Sequence, residues 1–410
     1  MIKLYLILND IIVPVLVGFL TTSLFVAGDM LSYLIYSFLL TIFSYLKGFY
    51  NNYYSIHFSE KLRISFITSS ALIFFQLIYH SLNSIDINII VFFSWLLIPV
   101  LILIVRYILT TINCSINNVT ISIIGNLYKF SDDEIKILTN KKFKVFFYDK
   151  LEQYLEKIDP KSYTYNLAVI NTPITTPQEN KLLSTVSSIS LTQFMENYLR
   201  KIYIDDKDTF NNINKYNMSD LILKRLIDYT AALVLLPLLV LVSFYMIIIK
   251  LVKGYDGSFI FTQKRYGINN NIFSLFKLRT MHVDSDSYGN TMKNDKRIYP
   301  FARSLRKFRL DELPQIINIF SGDMHLVGPR AEWTKLSDMY SKNIANYELR
   351  NIVRPGITGW AQVLYQYGFD INDSRQKLMY ELYYIKNWTI WLELEICIKT
   401  IIVILDKKGF

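Results

Sequence analysis

Apolar runs at about Leu4–Ala27, Met30–Leu46, Ile64–His80 and Ile87–Ile112 constrain this chain more than any other feature. Each is close to the ~20 residues that a bilayer-crossing helix needs, and a helix satisfies its own backbone amides within lipid. Residues 1–114 therefore read as a four-helix transmembrane domain. The loop between the second and third runs carries Lys47, Lys61 and Arg63, whereas Gly28-Asp29 and Ser81–Asp86 carry no basic residue. By the positive-inside rule that loop, Lys3 and everything after Ile112 face the cytoplasm. Arg106 lies near the cytoplasmic end of the fourth run, where snorkelling accounts for it. The first run is too long for a signal-peptide core and lacks a clear small-residue cleavage site, so it reads as an anchor.

The remainder is water-facing in character. Of 410 residues, 52% are hydrophobic but 19% are charged, which suits two or three domains with substantial soluble parts. The formal net charge of +10 points to an anionic partner: membrane lipid, nucleic acid or a phosphorylated substrate. With only Cys114 and Cys397, a disulfide framework is excluded, and a reducing compartment fits.

Residues 115–217 read as a small Rossmann-like αβ domain and linker. Val119–Gly125, Lys144–Tyr148 and Asn166–Asn171 are strand-like, while Asp132–Thr139 and Gln178–Val186 suit helices. No G-x-G-x-x-G follows the first strand, only Gly125, so an unliganded structural or regulatory domain is expected rather than a dinucleotide site. The polar, asparagine-rich Asp205–Asn217 is the linker. Residues 221–250 are nearly all apolar, yet Lys224 and Arg225 flank one end, Lys250 and Lys253 the other, and Pro237 sits mid-way. These features predict a re-entrant helix that breaks at Leu236-Pro237 and returns to the same face; an ordinary fifth span is the alternative. Trp388–Leu405 is apolar but carries Glu393, Glu395 and Lys399, as expected of a helix lying in the interface with Trp388 and Trp391 at headgroup level.

From Lys277 to Arg330 the chain holds ten Lys/Arg against six Asp/Glu, its densest basic stretch. Within it, Arg306, Lys307 and Arg309 precede Asp311-Glu312, and Pro314 restricts the backbone just after. Nearby cations are expected to keep such carboxylates ionised. An ionised carboxylate beside bound phosphates can attack phosphorus or hold Mg²⁺, with the cations as the phosphate clamp. The competing reading is a solvated helix face with ordinary ion pairs.

Further segments decide between these readings: Phe261-Thr262-Gln263-Lys264-Arg265-Tyr266-Gly267, then Phe276-Lys277-Leu278-Arg279-Thr280-Met281, then Asp311-Glu312-Leu313-Pro314-Gln315. Gly322-Asp323-Met324-His325-Leu326-Val327-Gly328-Pro329-Arg330 and Arg354-Pro355-Gly356-Ile357-Thr358-Gly359-Trp360-Ala361-Gln362 complete the set. In this order and spacing they resemble the bacterial sugar transferase family of polyprenyl-phosphate phosphoglycosyl transferases. The resemblance covers about Met218 to Leu405; the front half resembles the large, multi-domain branch more loosely. It implies that residues 218–410 form the catalytic domain, which moves a sugar-1-phosphate from a UDP-sugar to undecaprenyl phosphate. Such a reaction initiates exopolysaccharide, capsule or O-antigen synthesis. The implied location is the cytoplasmic face of a bacterial inner membrane. By the same resemblance Asp311 is the covalent nucleophile, and Asp311 and Glu312 position Mg²⁺. Lys277, Arg279, Arg306, Arg330 and Arg354 are the expected substrate-binding cations, with Arg354 equally suited to anionic membrane lipid.

Departures from the family pattern are His325 for serine, Ala331 for proline, Ser258 for proline and Glu381 for aspartate. None removes the nucleophile or the clamp. A packed, neutral state is expected of His325. The Gly328-Pro329 and Pro355-Gly356 turns are expected either to aim amides at an anion or to be plain surface turns. A transporter fits poorly, because the four front runs carry almost no intramembrane charge. A nucleotide-sensing scaffold leaves Asp311, Glu312, Arg306 and Arg330 unexplained, and nucleic acid is not an expected partner. The sequence leaves the sugar and the oligomeric state open, a homodimer included.

Overall fold

The computed structural model describes residues 2–24, scattered positions between 34 and 105, and residues 119–140, 143–157, 165–172, 188–204, 216–254, 257–282, 295–365, 368 and 370–406. They divide into two units, Met1–Leu199 and Arg200–Phe410. In the first unit, helix α1 (Ile2–Leu24) runs for 23 residues with Pro14 inside it. The other three apolar runs fall, apart from scattered helical positions, outside the described residues.

The αβ part of the first unit is built on a parallel sheet. Its elements are β1 (Val119–Ile124), α2 (Asp132–Asn140), β2 (Lys144–Tyr148), α3 (Leu151–Lys157), β3 (Tyr165–Ile170) and β4 (Ser188–Ser190), with strand order β2-β1-β3-β4. The expected helix Gln178–Val186 lies outside the described residues. Helix α2 starts with a capping arrangement: Ser131 N donates to Glu134 Oε2, and Glu134 N to Ser131 Oγ. The chain leaves β1 to pair with β2 on one side and β3 on the other, which puts the switch point beyond the ends of β1 and β3. Asn171 fills that position, donating to Gly125 O and Tyr128 O and accepting from Tyr128 N. Gly125 has φ +99°, and a Cβ there would lie 2.4–2.9 Å from Thr172 and Asn171 atoms. The loop thus satisfies itself.

The second unit opens with residues 200–204. Ile202 N donates to Met379 O, Trp360 Nε1 donates to Arg200 O, and Arg200 pairs with Glu395 at 2.7 Å. The unit therefore begins at Arg200, ahead of the boundary that the polar linker suggested. Next comes α4 (Met218–Lys253), 36 residues with a mean hydropathy of 2.9 in its most apolar window. Among the described residues it is the one helix long and apolar enough to cross a membrane. The helix is continuous through Pro237, so the expected break is not seen as an interruption. Ala232, Leu235, Leu239, Val242 and Met246 recur at three- and four-residue intervals and pack on one core cluster from both sides of Pro237. Leu226, Leu233, Val234, Val240, Leu241, Phe244 and Leu251 are exposed on the remaining surface.

That core cluster is completed by Phe273, Leu275 and Leu278 of the hairpin β5 (Ile260–Tyr266)–β6 (Ile272–Leu278), by Leu305 and Leu313, and by Ile316 and Ile319. Leu305 lies on α5 (Ala302–Lys307), while Ile316 and Ile319 lie on α6 (Gln315–Phe320). Strand β7 (His325–Val327) pairs in parallel with β8 (Gly356–Thr358). Helices α7 (Thr334–Asn343), α8 (Trp360–Leu364), α9 (Ile371–Lys386) and α10 (Ile390–Leu405) follow. Helix α10 presents Leu394, Ile398, Ile401, Ile402 and Leu405 outward, while Glu393 and Glu395 are buried. The two acidic charges that mark it as no ordinary span are therefore turned into the protein, towards Lys224 and Arg200, while Lys399 stays partly exposed.

Candidate active site

The Asp311-Glu312 pair is set by a sharp reversal. Arg309 adopts φ +55°, a left-handed conformation that costs a non-glycine residue energy, and it separates α5 from the single 3₁₀ turn Leu310–Glu312. Pro314 then caps α6. Asn318, fully buried on α6, donates to Ser274 O at 2.9 Å and accepts from Phe276 N at 3.2 Å. This pins α6 to β6 and brings Lys277 alongside the carboxylates: its Nζ donates to Glu312 Oε1 at 2.7 Å. Arg309 Nη1 lies 3.6 Å from Glu312 Oε2. Arg306, one turn earlier, donates to Thr280 Oγ1 at 3.1 Å.

The carboxylates are made unequal by this arrangement. Burial alone would raise Glu312, but Lys277, Arg309 and Arg330 overcome it and hold the carboxyl well below the usual range. Asp311 is pushed up to about 6, by burial and then by the Glu312 charge, with Lys277 and Arg306 opposing. This reverses the sequence expectation that the surrounding cations would lower it. The nearest cations are committed to Glu312, and Asp311 receives the negative charge of its neighbour. At neutral pH it remains mostly ionised. Lys277 is lowered by burial against the pull of Glu312.

Arg330 is held by its backbone. Its N–H donates to Glu381 Oε1 at 2.9 Å, its carbonyl accepts from Arg350 Nη2 at 2.8 Å, and Arg350 and Glu381 are themselves paired at 2.8 Å. Both partners are buried. Arg265 supports the next residues, donating to Ala331 O at 2.9 Å and lying 4.0 Å from Glu332. Sequence reasoning did not pick out Arg265, Glu332 or Arg350, although Arg265 lies inside a quoted segment and Glu381 was noted only as a departure. A buried acid with a buried arginine is the physical signal, and it is visible only once the fold joins them.

The glycine-proline segments do not offer their amides to a ligand. Gly328 N donates to Thr358 O, Gly356 N to Pro329 O and His325 N to Pro355 O, all within the β7–β8 pairing. A Cβ on Gly356 would come within 2.0 Å of Gly328 N, and one on Gly359 within 2.1 Å of Gly328 O. These glycines are there for close backbone approach, not for anion binding.

The remaining predicted cations lie elsewhere. Arg279 donates to Ser258 O and lies over Phe261. Arg354 donates through Nε to Gly322 O at 2.7 Å, beside Arg225 of α4, rather than to either carboxylate. His325 is buried with Nδ1 2.5 Å from Asp228 Oδ2, and burial lowers its pKa to about 4. It is the packed, neutral histidine expected. Lys224, read from the sequence as a helix-flanking charge, is instead buried and bonded to Glu393, Tyr384 and Val327 O.

The donor set at Asp311-Glu312 suits Mg²⁺ as that ion is usually held, by one or two carboxylates with substrate phosphates and water completing the shell. Asp311, raised by burial and then by the charge of Glu312, would be relieved by a divalent cation. Among the described residues no group of three or more His, Cys, Asp or Glu comes together to hold a metal ion.

Comparison with known proteins now adds to the geometry. Residues 216–407 match the family model for bacterial sugar transferase. A UDP-N-acetylgalactosamine-undecaprenyl-phosphate N-acetylgalactosaminephosphotransferase of Aeromonas hydrophila is 40% identical over 190 residues, covering 46% of this chain and 44% of that protein. A UDP-glucose:undecaprenyl-phosphate glucose-1-phosphate transferase of Xanthomonas campestris is 40% identical over 161 residues, 37% of this chain and 32% of that protein. The match therefore spans less than half the length of either relative. An uncharacterized sugar transferase of Bacillus subtilis is 36% identical over 190 residues, covering 46% of this chain but 90% of its own length. With nearly all of that relative accounted for by the unit that carries Asp311, Lys277 and Arg330, the chain belongs to the bacterial sugar transferase family.

Proposed function

We propose that this protein transfers a sugar-1-phosphate from a UDP-sugar to undecaprenyl phosphate through a phosphosugar-aspartyl intermediate at Asp311. The observation that carries the reading is the unequal carboxylate pair. Glu312 is locked by Lys277 and Arg309, whereas Asp311 remains a basic, partly desolvated oxygen nucleophile flanked by cations. An Asp311 oxygen attacks the phosphorus that bears the sugar, and the bond from that phosphorus to the UMP oxygen breaks. UMP leaves with the electron pair. An oxygen of the lipid phosphate then attacks the same phosphorus, the aspartyl P–O bond breaks, and polyprenyl diphosphate-sugar is released with Asp311 restored.

The cations bind and orient. Arg306 and Arg330 supply planar guanidinium forks for phosphate oxygens, and Lys277 keeps Glu312 in place. The Arg350–Glu381 pair fixes where Arg330 starts. Mg²⁺ held by Asp311 and Glu312 would neutralise charge building on the phosphates. The α4 stripe that packs on one core from both sides of Pro237 supports a catalytic unit kept on a single, cytoplasmic face, with the outer surface of α4 and of α10 in lipid. The polysaccharide pathway served is one that begins on a polyprenyl carrier.

The test is to incubate the purified full chain with undecaprenyl phosphate, Mg²⁺ and a panel of UDP-sugars while measuring released UMP. One sugar should support turnover with ping-pong kinetics, and Asp311→Asn should abolish it. Ternary-complex kinetics, or a fully active Asp311→Asn variant, would sink the proposal.

A further inference from the structure

A cleft of about 490 Å³ opens on the second unit between the β5–β6 turn, the end of α7 and the 3₁₀ segment Tyr347–Ile352. That volume lies within the roughly 300–1,000 Å³ typical of small-molecule sites. Both walls are built on sharp reversals of the chain. Asn269 and Asn270, in the turn Ile268–Asn270, have φ +53° and +62°, and Asn346, just before the 3₁₀ segment, has φ +61°. Asparagine takes this left-handed conformation more readily than other side chains, so the walls hold their shape by themselves. Two hydrogen bonds join them: Asn351 Nδ2 donates to Asn270 Oδ1 at 2.7 Å, and Asn270 Nδ2 to Glu348 Oε2 at 3.3 Å.

The lining offers hydrogen bonds rather than charge. Ser341 Oγ, Asn351 Oδ1 and Glu348 Oε1 line the cleft and make no hydrogen bond among the described residues. Glu348 is the one charged side chain of the lining, which holds no lysine or arginine. A phosphate or a nucleotide would therefore meet a carboxylate with no cation to offset it. Leu349 and Ile352, both partly buried, add an aliphatic patch to the same surface. A neutral sugar ring matches this mixture. Its hydroxyls donate and accept as amides and serine do, and its C–H faces cover aliphatic carbon.

One wall also reaches the centre described above. Arg350 lies in the 3₁₀ segment, donates to the hydroxyl of Tyr347 in the lining, and through Nη2 reaches Arg330 O and Glu381 Oε1 at 2.8 Å each. Arg350 and Tyr347 are both buried, and close-packed side chains transmit displacement rather than absorb it.

We infer that this cleft is an effector site for a neutral carbohydrate, a mono- or disaccharide unit, distinct from the Asp311 centre and linked to Arg330 through Arg350. Binding there needs no turnover, whereas an effect on rate rests on the transferase activity proposed above.

Saturation-transfer NMR of the full chain in lipid nanodiscs tests this with millimolar glucose, galactose, N-acetylglucosamine, N-acetylgalactosamine, lactose and glucuronate. Saturating UDP is present so that a donor site at Asp311 is occupied. At least one neutral sugar should receive saturation, and glucuronate at least five-fold less. Ser341→Leu fills the cleft from α7 without breaking a hydrogen bond and should cut the signal at least five-fold. Lys342→Gln, an exposed neighbour outside the lining, should leave it unchanged. Asn351→Ala removes an acceptor and one of the bridges, and should show the same loss if Ser341→Leu does not fold. The sugar that binds should change kcat/KM for the nucleotide sugar at least two-fold in wild type and leave Ser341→Leu unaffected. Saturation of no neutral sugar, a signal seen only without UDP, equal binding of glucuronate, or full signal in a folded Ser341→Leu or Asn351→Ala variant would each overturn the site. Binding with no change in kcat/KM would overturn the effector role. A wild type that turns over no nucleotide sugar would refute the transferase reading and leave the site to be decided by the binding result.

Discussion

Replacing Lys224 by methionine isolates the most buried Lys–Glu pair among the described residues of the second unit. Lys224 and Glu393 have side chains 1% and 2% exposed. The ammonium donates to Glu393 Oε1, Tyr384 OH and Val327 O, so all three of its protons are used. Methionine keeps the length of the stem and removes the charge, which leaves Glu393 ionised in a dry site. Breaking a buried pair from one side costs about 3–5 kcal/mol. Glu393 keeps Trp388 Nε1 at 2.5 Å and Tyr384 OH at 2.7 Å as donors, which argues for the low end, near ~3 kcal/mol. For a unit of this size that is a fall in Tm of about 6–12 °C. Thermal unfolding of the full chain in detergent, followed by tryptophan fluorescence, measures it directly. Lys224→Met/Glu393→Gln should regain at least half of the loss, because the neutral amide still accepts from Trp388 and Tyr384 without an unpaired charge. A single variant within 2 °C of wild type, or a double variant no better than the single, would refute this account of the pair.

Three further outcomes are expected. A chain beginning at Arg200 should melt higher than one beginning at Met218, since the shorter one leaves Glu395 buried without Arg200 and removes the Ile202–Met379 backbone bond; equal Tm values would count against a unit that starts at Arg200. His325, lowered to about 4 from 6.5, contributes stability that is fully present above pH 6.5 and is lost as pH falls towards 4, up to roughly 3 kcal/mol. His325→Gln should flatten that part of the Tm-versus-pH curve relative to wild type, and parallel curves would show that this histidine is not the titrating group. Glu381→Gln should lower kcat/KM for the nucleotide sugar by ten-fold or more, because it weakens the hold on both the Arg330 N–H and Arg350; a rate within two-fold of wild type would remove Arg330 positioning from its role.

The sequence displays the proposed reactive centre because Asp311-Glu312 breaks a basic stretch, and because Lys277 lies in a strand whose neighbours alternate between core and surface. The αβ sheet is legible for the same local reason: β-branched and aromatic runs mark β1, β2 and β3. Strand β4, Ser188–Ser190, is three residues long and mostly polar, so it carries no such mark. What stays hidden is any pairing made at long range. Lys224 and Glu393 are 169 residues apart, and each separately resembles a charge at a membrane surface. Gly328 and Pro355 misled for another reason. A tight turn and two short strands in close backbone contact have the same composition, and only the Gly356–Gly328 approach distinguishes them.

Helix α4 has two different faces along its whole length. Ala232, Val242 and Met246 belong to the protein interior, and Lys224 and Asp228 fasten strand β7; Leu233, Val234, Leu241, Phe244 and Leu251 face outward. Deleting the helix to obtain a water-soluble enzyme would therefore remove a wall of the core and unfasten the strand that leads to Arg330. A soluble form has to keep the helix and repaint it. Changing only the outward positions to glutamate, lysine and glutamine leaves every inward contact in place. The boundary between what may be repainted and what may not runs along a single helix, residue by residue.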